Sequence, residues 1–193
     1  TGDGYLFAEK MGLKVTDRKP SLVGILTKET WPMQLQGLTL KNVCLTGTCC
    51  GKIIHSELGE MLFTHFGVSG PLVIELSSHL PDKGETVFFL DLKPGLTMEQ
   101  LDQRLQREIK AAGKKQVSSI LQTLLPQRMA VVFADICKID STRVCSQLTG
   151  KERALMVQLL KKLPLTVKGT RPIAEAIVTR GGVDVKEIAP GTM

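Results

Sequence analysis

The sequence predicts an α+β fold in which a small helical bundle is inserted between the strands of a β-rich, antiparallel part. Three observations carry this. Short apolar strands separated by turn residues recur between Leu22 and Leu92. The Thr97-Met98-Glu99-Gln100 capping box then switches the apolar period to that of helices. From Leu165 the period returns to two.

In chain order, Tyr5 to Gly12 has the spacing of a short helix, with Asp3 as its expected N-cap and Gly12 at C′. Leu22, Val23, Ile25 and Leu26 predict one apolar strand, and residues 28–36, with the single tryptophan, a loop. Apolar positions 38 and 40 change parity to 43 and 45, which predicts a bulge at Lys41-Asn42. Gly51-Lys52 turns the chain into Ile53-Ile54-His55-Ser56, and residues 57–60 are expected to turn again. A helix from Ser69 is stopped before Pro81, and Thr86 to Leu92 reads as a strand covered on both faces.

In the inserted segment, Leu101, Leu105 and Ile109 make one helical stripe; Val117, Ile120, Leu121 and Leu124 make a second. Pro126 starts a third helix through Met129, Val132, Phe133 and Ile136. A second capping box, Thr149-Gly150-Lys151-Glu152, opens a helix with Leu155, Leu159 and Leu163 on its apolar face. Afterwards Ala174, Ala176 and Val178 alternate with Glu175, Ile177 and Thr179 as a strand ending at Arg180-Gly181-Gly182.

The densest chemistry lies in Gly59-Glu60-Met61-Leu62-Phe63-Thr64-His65-Phe66-Gly67-Val68-Ser69-Gly70-Pro71. It reads as a strand leaving a turn at Gly59, turning at Gly67 and launching a helix with Ser69 as N-cap. A helix start of this kind gathers free amides, a hydroxyl and the His65 imidazole, and can hold an anion or a polarised carbonyl. A capped helix with His65 bonded beneath it is the structural alternative. A serine-hydrolase elbow does not fit, because G-x-S-G-P departs from G-x-S-x-G and Pro71 has no N–H.

Charge and cysteines narrow the classes. The chain carries a net +6. Between Met98 and Leu163 there are 12 Lys or Arg against 6 Asp or Glu, so the whole excess lies in the helical segment. Phe133 is the only aromatic there, which leaves no stacking platform, and a solvated basic face explains the charge better than nucleic acid. An RNA or acidic-protein docking module is the alternative function. Five cysteines, two of them adjacent, do not make a secreted disulfide framework, and without a C-x-x-C no metal site is expected. With no membrane span or signal peptide visible, a cytoplasmic protein is expected. Thr1 in place of an initiator methionine suggests a piece of a longer protein.

Three stretches resemble one family. Thr1-Gly2-Asp3-Gly4-Tyr5, the 59–71 segment, and Ala176-Ile177-Val178-Thr179-Arg180-Gly181-Gly182-Val183 with Glu187-Ile188 and Thr192-Met193 are similar to the BaiN-like (YhiN-like) flavoproteins, NAD(P)/FAD-dependent oxidoreductases. The resemblance implies an insert of a Rossmann-type FAD protein. Residues 1–14 would be a joint helix from the FAD domain, 15–96 the first part of a barrel-like β subdomain, 97–163 the helical subdomain, and 164–193 the β return and second joint. The FAD-binding core would lie outside the chain, which would be inactive alone and have its FAD domain and a small-molecule substrate as partners. FAD and NAD(P)H are the implied cofactors. The implied catalytic residues are His65 and Ser69, with Thr64, Gly67 and Gly70 in the substrate pocket. Thr1, Gly2, Asp3, Gly181 and Gly182 are the implied cofactor or hinge contacts.

Overall fold

A closed six-stranded barrel organises the protein, and a helical excursion leaves it between two neighbouring strands. The computed structural model describes residues 2–189 and Gly191; Thr1, Thr192 and Met193, which contribute to the motifs above, lie outside the described residues.

Helix α1 (Asp3–Lys10) is followed by strands β1 (Lys19–Ser21) and β2 (Ile25–Thr27), short helix α2 (Trp31–Gln34), long strands β3 (Thr39–Cys49) and β4 (Lys52–Thr64), and β5 (Gly67–Ser69). Helix α3 (Pro71–Ser78) and β6 (Thr86–Asp91) lead to the helices α4 (Met98–Ala112), α5 (Val117–Leu124), α6 (Gln127–Ile136) and α7 (Gly150–Lys161). Strands β7 (Leu163–Thr170) and β8 (Val178–Arg180) complete the chain.

The barrel runs β2-β5-β4-β3-β6-β7 and closes because β2 pairs on both sides, with β5 and with β7. Every pairing among the described residues is antiparallel. Period two holds along β6, where Thr86, Phe88 and Leu90 are buried and Val87, Phe89 and Asp91 are half-buried, so the strand has one fully covered face rather than two. Ile25, Leu45, Met61, Phe63, Val68, Phe88, Leu90 and Leu165 are all inaccessible and belong to one apolar core shared with the helices.

The helical excursion joins β6 to β7, which are themselves paired, so its two ends must start and finish side by side. Lys161 fastens them: its Nζ lies 2.6 Å from Asp91 and donates to the carbonyls of Lys93 (2.9 Å) and Leu96 (2.6 Å). Both predicted capping boxes form, at Thr97 and at Thr149. The α4 to α6 stripes are as expected, but α7 buries Met156, Val157 and Leu160, while Leu155 is 38% exposed. Leu163 and Pro164 already belong to β7, so the helix ends at Lys161 and its apolar face turns by one position.

Several expectations change for steric reasons. Asp3 is the first helical residue, and Gly2 (φ 135°) takes the N-cap position. The single strand at 22–26 is two, broken at Leu22 (φ 52°), because β1 and β2 serve different sheets. The bulge at Lys41-Asn42 is present. There is no turn at 57–60: β4 continues through Gly59, where a Cβ would meet Leu72 of α3 at 3.0 Å, so this glycine makes room for a helix. Residues 174–177 are not strand; Ile173–Glu175 is a 3-10 turn, and only Val178–Arg180 pairs, with β1.

Gly67 opens β5 rather than forming the turn, which falls at His65-Phe66. At φ 145°, a Cβ on Gly67 would lie 2.5 Å from the Ile25 carbonyl oxygen and 2.9 Å from the Thr27 nitrogen, in the seam where β5 meets β2. Gly67→Ala is expected to open that seam and cost about 2–4 kcal/mol. Urea unfolding checks this, with a midpoint shift at unchanged slope as the expected result.

Candidate functional site

The two arms of the chain come together outside the barrel. Lys19, Pro20 and Ser21 pair with Arg180, Thr179 and Val178, and Val15 bridges to Val183. Thr16 N donates to the Gly182 carbonyl (2.7 Å), and Gly182 N donates back to Thr16 Oγ1 (3.1 Å). Asp184 N donates to the Lys14 carbonyl (2.8 Å), and Lys14 N to Glu187 Oε2 (2.6 Å). The approach requires glycine at 181, and the positive φ of Gly182 favours glycine there too. A Cβ on Gly181 (φ 93°) would overlap the Asp17 carbonyl oxygen, and one on Gly182 (φ 134°) would lie 3.3 Å from the Tyr5 ring. Their contacts in this structure are therefore to the opposite arm.

A wide hollow of about 1340 Å³ opens beside the paired arms, lined by Gly2, Tyr5, Thr16, Arg18, Ile177 and Thr179 among others. Tyr5 Oη is 2.5 Å from Thr179 Oγ1, and the Arg18 guanidinium stands 5.0 Å over the Tyr5 ring. Three large apolar side chains in the lining of the hollow are left open to solvent, with Ile173, Ile177 and Val178 between 44% and 67% exposed.

Asp82 clamps the arms to the barrel. Its carboxylate lies 3.0 Å from Lys19 Nζ and pairs with Arg180, whose Nη1 also donates to the Leu80 carbonyl at 2.7 Å. The Lys19 hydrogen bond, aided by the Arg180 charge against a desolvation cost, holds its carboxyl below the usual range.

The β4–β5 hairpin carries the other candidates. His65 sits exposed at its tip, edge-on to Phe66 with ring centroids 5.1 Å apart, and its ring nitrogens make no hydrogen bond among the described residues. Ser69 pairs with Leu62, two ladder positions back from the turn, roughly 7 Å along the strand. It does not cap α3. Gly70 does so with φ 90°, where a Cβ would lie 2.8 Å from the Leu62 nitrogen. The hairpin therefore separates the imidazole from the hydroxyl instead of aiming both at the helix start, and Gly67 is spent in the barrel seam. Thr64 Oγ1 is enclosed without a partner among the described residues.

The hairpin tip is nevertheless tied to the hollow. Phe66 packs on Gly24, and the Arg171 guanidinium lies 4.6 Å over its ring while pairing with Glu175 at 2.5 Å. Ile173 and Ala174, between those two residues, line the hollow. Arg18 and Arg171 lie in no motif of the sequence, while Tyr5 and Thr179 lie in the first and third motifs without being marked there as site residues. Those two motifs, and Tyr5 being the chain's only tyrosine, are the signals by which the pair could be found.

Residues 19–178 match the HI0933-like protein barrel and H2TH domain. The chain is 31% identical over 192 residues to the ribosomal RNA dihydrouridine synthase of Haemophilus influenzae, covering 98% of this chain and 45% of that protein. It is 28% identical over 195 residues to the Escherichia coli enzyme of the same name, covering 98% and 46%. It is 24% identical over 199 residues to the 3-dehydro-bile acid delta(4,6)-reductase of Clostridium scindens, covering 100% and 48%. The chain thus spans about half the length of the curated relatives it matches.

A carboxylate whose pKa is depressed by folding contributes stability above its unfolded value, about 3.9 for Asp, and loses it as the pH falls through the lower folded value. Asp82→Asn is therefore expected to lower the melting midpoint at neutral pH, with the difference from wild type shrinking as the pH falls below the ordinary aspartate value of about 3.9. Calorimetric melts across that range check it.

Proposed function

Since the chain belongs to the HI0933-like family, the YhiN- and BaiN-like flavoproteins with oxidoreductase members, we propose that it is the substrate-covering part of a flavin-dependent reductase. The single observation that carries this reading is the joint: two paired arms beside a hollow of about 1340 Å³ whose lining leaves Ile173, Ile177 and Val178 exposed, all outside the closed barrel. Such a surface suits burial against a further protein layer. The antiparallel sheets offer no parallel βαβ unit to hold a dinucleotide, so FAD would be gripped mainly by protein outside these residues. Gly2, Tyr5, Arg18 and Thr179 fit one wall of the site, with an aromatic face and a cation already stacked.

When bound, FAD supplies hydride chemistry, with NADH or NADPH as the source of electrons. This chain's residues would exclude water and position the substrate. His65, exposed at a hairpin tip buttressed by Phe66 and Arg171, would donate a proton or hydrogen bond to a substrate oxygen. Ser69 would act from the hairpin behind it, while Thr64, whose hydroxyl is enclosed, and Gly70, packed against Leu62, would shape the hairpin rather than touch the substrate. The relatives' names share one chemistry, because forming dihydrouridine and reducing a Δ(4,6) bile acid ketone both saturate a C=C bond conjugated to a carbonyl. We therefore assign the substrate to that class.

A specific observation favours an RNA substrate within it. Arg104, Arg143, Arg153 and Lys161 are neutralised by Glu108, Glu152, Asp102 and Asp91. Arg107, Lys110, Lys114 and Lys115, at the end of α4 and just beyond it, are exposed and form no ion pair among the described residues. That cluster suits phosphate contacts, which position a nucleic acid without reading its sequence.

Two outcomes test these statements in the complete flavoprotein. Ile173→Asp with Ile177→Asp is expected to release flavin and abolish turnover of an enone or uridine substrate while far-ultraviolet dichroism persists; unchanged flavin content would refute the joint. Charge reversal at Arg107, Lys110, Lys114 and Lys115 is expected to flatten the salt dependence of ribosomal RNA binding, and an unchanged slope would leave the small-molecule reading.

A further inference from the structure

A second group of reactive side chains lies away from the joint, where β3 turns into β4. Cys49 ends β3 and Cys50 follows it in the turn. Neighbouring residues on an extended strand face opposite ways, but Cys50 has φ 49°, which brings its side chain round to that of Cys49. The two Sγ atoms are 3.8 Å apart, with Cys50 exposed and Cys49 half-buried. Gly84 (φ 106°) faces both sulfurs: a Cβ there would lie 2.7 Å from Cys49 Sγ and 2.9 Å from Cys50 Sγ. The Lys83 carbonyl oxygen is 3.7 Å from Cys49 Sγ. The other thiols are placed differently, Cys44 against Ser56 Oγ at 3.6 Å and Cys137 and Cys145 in the core.

Two thiolates bound to one tetrahedral ion through bonds of about 2.3 Å stand about 3.8 Å apart. The pair already has that separation. We propose that Cys49 and Cys50, cradled by Gly84, form a bidentate site for a thiophilic divalent cation of the Zn²⁺ or Cd²⁺ class. Two metal–sulfur bonds form, two S–H bonds break, two protons go to solvent, and no electron is transferred. No set of three or more His, Cys, Asp or Glu able to hold a metal occurs among the described residues, so water or a free thiol fills the remaining positions. The site is consequently an exchangeable one rather than a closed structural centre.

The test is titration of the reduced full chain with Cd²⁺, following thiolate-to-metal charge-transfer absorbance and proton release. One ion and two protons per chain are expected. Cys49→Ser or Cys50→Ser should weaken binding by more than the roughly 10–100-fold that loss of an outer-shell partner costs, while Cys44→Ser leaves it unchanged. Gly84→Ala should also weaken it by crowding the sulfurs. If that variant fails to fold, the serine variants, at an exposed turn, carry the test. Equal affinity in the Cys49→Ser/Cys50→Ser double variant, or one ion shared between two chains by light scattering, would overturn the proposal.

Discussion

The rest of the structure depends on the crossing of the two arms at Asp17 and Gly181. The backbones approach so closely there that only glycine fits at 181, and the approach brings β1 and β8 into register, tucks Gly182 under Tyr5 and places α1 beside residues 173–179. The hollow and the apolar side chains left open in its lining are consequences of that crossing. Asp82, shared by one cation from each arm, then fixes the pair to the barrel through Lys19 and Arg180.

Barrel closure sets a second constraint. Strand β2 has three residues and must pair on two sides, so each neighbour has to come close, and Gly67 and Gly169 are the residues opposite Leu26. Gly67, which the family resemblance places in a substrate pocket, has its backbone occupied there. A glycine in a motif thus answers to the barrel before it answers to a ligand, and the same holds for Gly59 and Gly70, which accommodate Leu72 and Leu62.

What was legible in the sequence follows from where the physics is local. Capping boxes, the α4 to α6 stripes and the Lys41-Asn42 bulge depend on residues a few positions apart, and all are present. The misplaced features depend on partners far along the chain. Gly59 resembles a turn until Leu72 is set against it, Ser69 resembles a cap until it is paired with Leu62, and 174–177 alternates like a strand although Ile173–Glu175 closes into a 3-10 turn and only Val178–Arg180 pairs, with β1. For the site, the motifs located the right segments, but the stacking of Arg18 on Tyr5 and of Arg171 on Phe66 joins residues that no short pattern connects.

The central claim is that the joint is an inner surface of a larger flavoprotein. Hydrogen exchange on this chain alone and on the complete protein measures that most directly. The account predicts that amides of residues 3–10 and 173–187 are more strongly protected in the complete protein than in the chain alone, while the barrel strands stay equally protected in both. Equal exchange of those two segments in the two samples would contradict it.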